Sequence, residues 1–209
     1  MRRCFRILCL LLFFTSATLS VNADTVTYTF EAPQFTSFEP TPLLDRAPNS
    51  GLSTFRASFI SSPDTTAFQI STFQPNVLFS GQMLYDPGFP SESLRLSFNI
   101  PIDRVQVNFA VLDPGLLTLT SPDGSTTQSS AVVGGAFQGG TLIFSSAIPF
   151  TMFRLDAFTT AGNPNLFAID NLTMSTVAVP EPTTMLLLGT GLAGIAAKVR
   201  QRRKADREE

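Results

Sequence analysis

The 209-residue chain carries 14 Lys and Arg against 16 Asp and Glu, a formal net charge of −2, and has no His and no Trp. Residues 24–179 hold 5 Arg, no Lys and 12 Asp and Glu, a net of −7, which excludes the clustered phosphate neutralisation that nucleic acid requires. That stretch also lacks Cys, so Ser–His and Cys–His nucleophile pairs, His or thiolate zinc sites and lysine Schiff bases are excluded, leaving carboxylates as the only acid–base groups.

The chain opens with Arg2, Arg3 and Arg6, an apolar run over 7–14 and a small-residue stretch ending Val21-Asn22-Ala23. This is the three-part pattern of a secretory signal peptide, with cleavage expected between Ala23 and Asp24. The apolar run is well short of the roughly 20 residues of a membrane-spanning helix, so 1–23 is read as a removed leader rather than an anchor. Cys4 and Cys9, the only cysteines, leave with it. The mature chain then has no disulfide and must hold its fold by packing alone.

Residues 24–178 are long enough for one domain with a sizeable core. Val26, Tyr28 and Phe30 alternate with threonines over 25–30, the period-two signal of a half-buried strand. Residues 31–52 are proline-rich with little alternation and read as a long loop or irregular edge. Further strands are expected at 55–59, 94–98, 105–111, 117–120, 125–133, 141–144, 150–158 and 166–174. The breaks are turn chemistry: Asp86-Pro87-Gly88, Asp113-Pro114-Gly115, and Ser121-Pro122-Asp123-Gly124, the last predicting a hairpin through a type I turn. About nine or ten short strands, each with one apolar face, need a second sheet to cover that face. The expected fold is therefore all-β, an antiparallel β-sandwich of jelly-roll type. The acidic residues lie mostly at turns, where their structural use is turn formation, so the domain reads as non-enzymatic.

Beyond the domain, Pro180-Glu181-Pro182 cannot continue a ladder, because two of its three residues lack a backbone donor. It is a stiff tripeptide suited to being read in extended form. Residues 183–197 carry no charge, and Lys198, Arg200, Arg202, Arg203 and Lys204 follow. The pattern predicts a single transmembrane helix over about 183–199 with a stop-transfer cluster on the cytoplasmic side, followed by a short tail at 205–209. At about 1.5 Å per residue the uncharged run spans near 23 Å, short of the roughly 30 Å of hydrocarbon, and snorkelling of Lys198 and Arg200 makes up part of the difference. Gly189, Gly191 and Gly194 spell GxGxxG, but a dinucleotide site needs a strand before it and a helix and second strand after it. No such unit fits the remaining residues, so no nucleotide is expected. The small side chains instead give a smooth helix surface in lipid.

This tail resembles the PEP-CTERM sorting signal of bacterial exported proteins in Val179-Pro180-Glu181-Pro182-Thr183, the leucines at 186–188, Gly191-Leu192-Ala193-Gly194 and the basic residues at 200–204. The resemblance implies export by the general secretory route and transient anchoring in the inner membrane. It also implies recognition of Pro180, Glu181 and Pro182 by an exosortase, followed by release or transfer of the domain, such proteins being associated with extracellular polysaccharide and the cell surface. The acidic end, Asp206 to Glu209, departs from the usual pattern.

The domain also resembles the jelly-roll ectodomains of such proteins, which often close on an Ile-Asp-Asn strand like that at 169–171. It is similar too to carbohydrate-binding modules in which an early glutamate and a late aspartate share a structural calcium. That resemblance implies Glu31 and Asp170 as a pair of hard oxygen ligands, with no other cofactor. The alternative use of Asp170 is to accept backbone amides and close the sandwich. Two functions follow: a non-enzymatic surface or matrix protein, or a calcium-stabilised carbohydrate-binding module. An exposed groove near Tyr85 and the 86–90 loop would favour the second. Sugar platforms usually use exposed Trp or Tyr, however, and this chain has only Tyr28 and Tyr85.

Overall fold

The computed structural model describes residues 23–63, 66–72, 77–88, 93–132 and 137–177, together with Leu188, Gly189, Gly191, Leu192, Gly194, Ile195 and Lys198. Ala23–Val177 forms a compact unit of its own. Its strands are β1 (Thr25–Tyr28), β2 (Leu43–Arg46), β3 (Ala57–Ser62), β4 (Gln69–Ser71), β5 (Met83–Tyr85), β6 (Ser93–Val111), β7 (Gly115–Thr120), β8 (Thr126–Ser130), β9 (Gln138–Thr159) and β10 (Phe167–Thr176). Every strand pairing is antiparallel.

Two long strands organise the sandwich. The first half of β6 pairs with β3 and with the second half of β9, which in turn pairs with β7, and β2 and β8 complete that layer. The second half of β6 lies between β10 and the first half of β9, while β10 also carries β1 and β5, and β5 carries β4. Thus β6 and β9 cross together from one layer to the other. The sequence predicts two strands in place of each, broken near Pro101 and Pro149. The structure keeps them continuous because the prolines sit in bulges: Ser97 pairs with Met152 and Ile102 with Phe150, and Arg104 then pairs with Ser145. Unequal residue counts on the two sides bend the ribbon, and a bulge is where a strand tolerates the missing proline donor.

The core lies between the layers and is built largely from phenylalanine. Tyr28, Phe30, Phe35, Phe55 and Phe59 are essentially fully buried. Their rings meet edge-on or tilted at centroid distances from 5.1 to 6.4 Å, arrangements worth about 0.5–1.5 kcal/mol per pair beyond the area they bury. The 31–52 stretch, expected as a long loop or irregular edge, contributes Phe35 and Leu43 to this core and contains β2, an edge strand that pairs with β3 alone through an irregular register. It is pinned by Tyr28 Oη donating to the Arg46 carbonyl at 2.8 Å, and the Arg46 guanidinium pairs with Glu39. The predicted hairpin joins β7 and β8: Gly124 N donates to the Ser121 carbonyl at 3.0 Å, with Gly124 at a φ of 84°.

Candidate functional site

β10 carries the carboxylate that the sequence singles out. Phe167 and Ile169 point into the main core, so alternation turns Ala168 and Asp170 to the opposite face. There Ala168 packs in a second, smaller cluster with Phe79, Met83, Ala110 and Phe137. Between Asp170, opposite Asn108, and Thr173, opposite Gln106, β10 holds one extra residue. Asn171 absorbs it in a left-handed conformation (φ 49°), which asparagine tolerates better than most residues. The bulge returns Leu172 and Met174 to the core. It also folds Asn171 back onto Asp170, donating from its backbone N to Oδ1 at 2.7 Å and from Nδ2 to Oδ2 at 3.0 Å. The Ile-Asp-Asn signature is thus a bulge with its own carboxylate cap.

Glu31 reaches the same place from the other end of the chain. Tyr28 pairs with Leu172 next to the bulge, and β1 ends there, its place along β10 being taken by β5, where Leu84 pairs with Ile169. Phe30, with a φ of 58°, turns the chain as it leaves β1. The 80–82 segment ties the two carboxylates together: Ser80 N donates to Asp170 Oδ2 at 3.3 Å and Gln82 N donates to Glu31 Oε1 at 2.6 Å. Gly81 between them has a φ of 73°, and a Cβ there would lie 1.7 Å from Glu31 Oε1. Asp170 has no exposed surface. Burial pushes its carboxyl up to about 6, against the donations from Asn171 and Ser80 and with the neighbouring charge of Glu31 adding to the rise.

Sequence reasoning did not find Ser80, Gly81 and Gln82, nor Asn108, whose Nδ2 donates to the Leu78 carbonyl at 3.3 Å and whose Oδ1 accepts from Thr141 Oγ1 at 3.0 Å. A Ser-Gly-Gln tripeptide carries no signal of a long-range partner. Gln82 Nε2 donates to Ser37 Oγ, while its Oε1 is buried without a hydrogen-bond partner. Two carboxylates and such an oxygen are the hard donors calcium takes, but calcium uses six to eight oxygens. No group of three or more His, Cys, Asp or Glu that could hold a metal occurs among the described residues. Glu31 and Asp170 would therefore be two of its ligands, with the remainder drawn from amide and backbone carbonyls or water.

Tyr85, beside which an exposed groove would favour carbohydrate binding, is half-buried and packs edge-on against Phe137 at 6.0 Å. Burial raises its phenol pKa, and the charge of Asp86 adds to the rise.

The expected processing sites sit at the ends of the domain. Ala23 and Asp24 are exposed, and Asp24 is clasped to Thr176 by three contacts. Its N donates to Thr176 Oγ1 at 3.2 Å, its carbonyl accepts from Thr176 N at 2.8 Å, and the same carbonyl accepts from Thr176 Oγ1 at 3.2 Å. Residues 1–22 of the signal peptide expected over 1–23, the Pro180-Glu181-Pro182 tripeptide, Arg200, Arg202, Arg203 and Lys204 lie outside the described residues. So does most of the helix expected over 183–199, of which Leu188, Gly189, Gly191, Leu192, Gly194, Ile195 and Lys198 are helical and exposed. Among the described residues no helix is long and apolar enough to cross a membrane.

Distant likenesses to solved structures include a variant of the family 29 carbohydrate-binding module CBM29-2, at 12% identity over 77% of this chain and 100% of that one, TM-score 0.35. Others are the CBM22-1 xylan-binding domain of Paenibacillus barcinonensis Xyn10C, at 12% identity over 74% and 94%, TM-score 0.38, and the enzymatically active domain of tailspike protein 4 of bacteriophage CBA120, at 12% over 58% and 19%, TM-score 0.35. No curated protein matches the chain. The C-terminal segment does match a family: residues 178–203 fit the model of the PEP-CTERM protein-sorting motif. The chain is thus an antiparallel β-sandwich domain followed directly by a PEP-CTERM sorting motif.

Proposed function

We propose that this protein is an exported, non-enzymatic component of the bacterial surface or extracellular matrix. In this reading it is held transiently in the inner membrane and processed by an exosortase that reads Pro180, Glu181 and Pro182. The sorting motif immediately after the sandwich carries the reading. The domain suits such a life: it is acidic, free of thiols and closed by its own packing. The carboxylates gathered at β10 do not favour catalysis, because Asp170 is wholly buried and out of a substrate's reach. Association with extracellular polysaccharide is part of the same reading. The test is the mass of the protein recovered from envelope and medium, with and without the exosortase. Loss of 183–209 only when the enzyme is present supports the reading, and an intact tail on the released protein defeats it.

The convergence of Glu31 and Asp170 on the 80–82 segment favours a second reading, a calcium-stabilised carbohydrate-binding module. A glycan array probed with and without calcium decides it: retention of a polysaccharide that chelator weakens supports the reading, and no retention in either condition removes it.

A further inference from the structure

The bulges in β6 and β9 leave a crevice of about 290 Å³ beside the β7–β8 turn, lined mainly by Pro101, Pro122, Ile148, Pro149 and Phe150, with Asp123 among its polar lining residues. Ile148 is 68% exposed, an apolar side chain presented to solvent rather than to the core. The crevice lies where the chain leaves the domain. Thr176 pairs with Ile102, and Val177 N donates to the carbonyl of Pro101, a wall residue, at 3.4 Å. Asp24 is held against Thr176, so the mature N-terminus starts at this end too.

Only three residue steps separate Val177 from Pro180. Fully extended they span about 10 Å. Any enzyme that grips Pro180-Glu181-Pro182 in extended form must therefore take this end of the sandwich against its own entrance. We propose that the crevice is an exosite for the membrane-bound processing enzyme, seating an apolar side chain from the outward surface beside that enzyme's cleft. The inference rests on the sorting reading above. A protein partner fits better than the bilayer itself. Asp24 and Asp123 flank this end, with the exposed Arg104 beside them on β6, and the net charge of −7 on the domain as a whole makes an anionic lipid surface repulsive. The surface is also concave, a shape that accepts an inserted side chain.

The test follows conversion of the full-length precursor to its released form in cells that hold the processing enzyme. Ile148→Asp should slow conversion by roughly tenfold, the loss of one apolar anchor, while Ile148→Leu stays near the native rate. A flexible Gly-Ser insertion after Val177 should slow the native chain, by uncoupling the exosite from the cleft, and leave I148D unchanged. The double variant Pro180→Ala, Pro182→Ala is the separate check on sorting. If it remains unprocessed while I148D converts at the native rate, the exosite is overturned and the sorting reading stands. If it is processed normally, the sorting reading fails and the exosite with it. The released I148D domain should unfold at the native temperature. Should it not, Thr151→Arg on the exposed wall repeats the test, and native-rate conversion of that variant overturns the proposal.

Discussion

Gly81 and Glu31 occupy one space: a Cβ on Gly81 would lie 1.7 Å from Glu31 Oε1 and 2.7 Å from the carboxyl carbon. The carboxylate can accept from Gln82 N only because residue 81 has no side chain and holds a φ of 73°. Gly81→Ala should therefore destabilise the domain by about 2–4 kcal/mol, the sum of a left-handed alanine and a displaced hydrogen-bonded carboxylate. Gly124→Ala is the control, since its φ is 84° but nothing lies within 4 Å of its Cβ position. It should cost only about 1 kcal/mol. Chemical denaturation of both variants measures the difference, and equal losses would refute the clash.

Asp170 makes stability depend on pH in an unusual direction. Its carboxyl is raised from an ordinary 3.8 to about 6, so across that window the folded chain holds a proton that the unfolded chain has released. Stability then falls as pH rises through the window. In chelator the thermal midpoint should drop between these two values, and Asp170→Asn should flatten the curve. A midpoint that rises across the window in the native protein and the variant alike would contradict the assignment.

Calcium tests the same pair independently. At about pH 7, millimolar calcium should raise the thermal midpoint of the native domain and leave Glu31→Gln and Asp170→Asn unmoved. Unchanged midpoints in all three would leave Glu31 and Asp170 as hydrogen-bond acceptors within the fold and not as calcium ligands.

Tyr28 joins the phenylalanine core to the 31–52 stretch. It is fully buried, meets Phe35, Phe55 and Phe59, and donates its hydroxyl hydrogen to the Arg46 carbonyl. Tyr28→Phe should cost about 1–2 kcal/mol, leaving the packing intact and the Arg46 carbonyl short of a donor. Tyr28→Ala should cost about 3–5 kcal/mol. Comparable losses for the two substitutions, measured by denaturation, would mean that the hydrogen bond rather than the ring is what matters.

The clasp between Asp24 and Thr176 predicts that Thr176→Val speeds amide exchange at residues 24–26 and at 176 and 177 without altering exchange in β6 or β9. The side chain removed bridges only the two ends of the domain, at the end of β10. Uniformly faster exchange throughout the domain would show that the clasp supports the whole sandwich.

Much of the strand content was legible in the sequence because period-two alternation is local. Val26 and Tyr28, Leu94 and Leu96, and Val105, Val107 and Phe109 all face the core as their spacing implies. The continuity of the long strands was not legible, because alternation lapses between 98 and 105 and between 144 and 150. Pro101 and Pro149 fall in these gaps, yet they lie inside β6 and β9, where paired bulges free that position from the ladder. β2, β4 and β5 were missed for another reason. They are three or four residues long, too short to display a period, and are held as strands by their neighbours.

The sequence alone determined the linear signals: the acidic, thiol-free middle, the PEP tripeptide and the basic cluster, each carried by contiguous residues. It also held Glu31 and Asp170, but as a pair supplied only by resemblance. Tertiary structure decided that they bracket one segment, that Gly81 makes room for them, and that both domain ends meet beside an apolar crevice. These depend on antiparallel register and on two bulges, which bring residues more than a hundred positions apart within hydrogen-bond reach and leave no periodic trace along the chain.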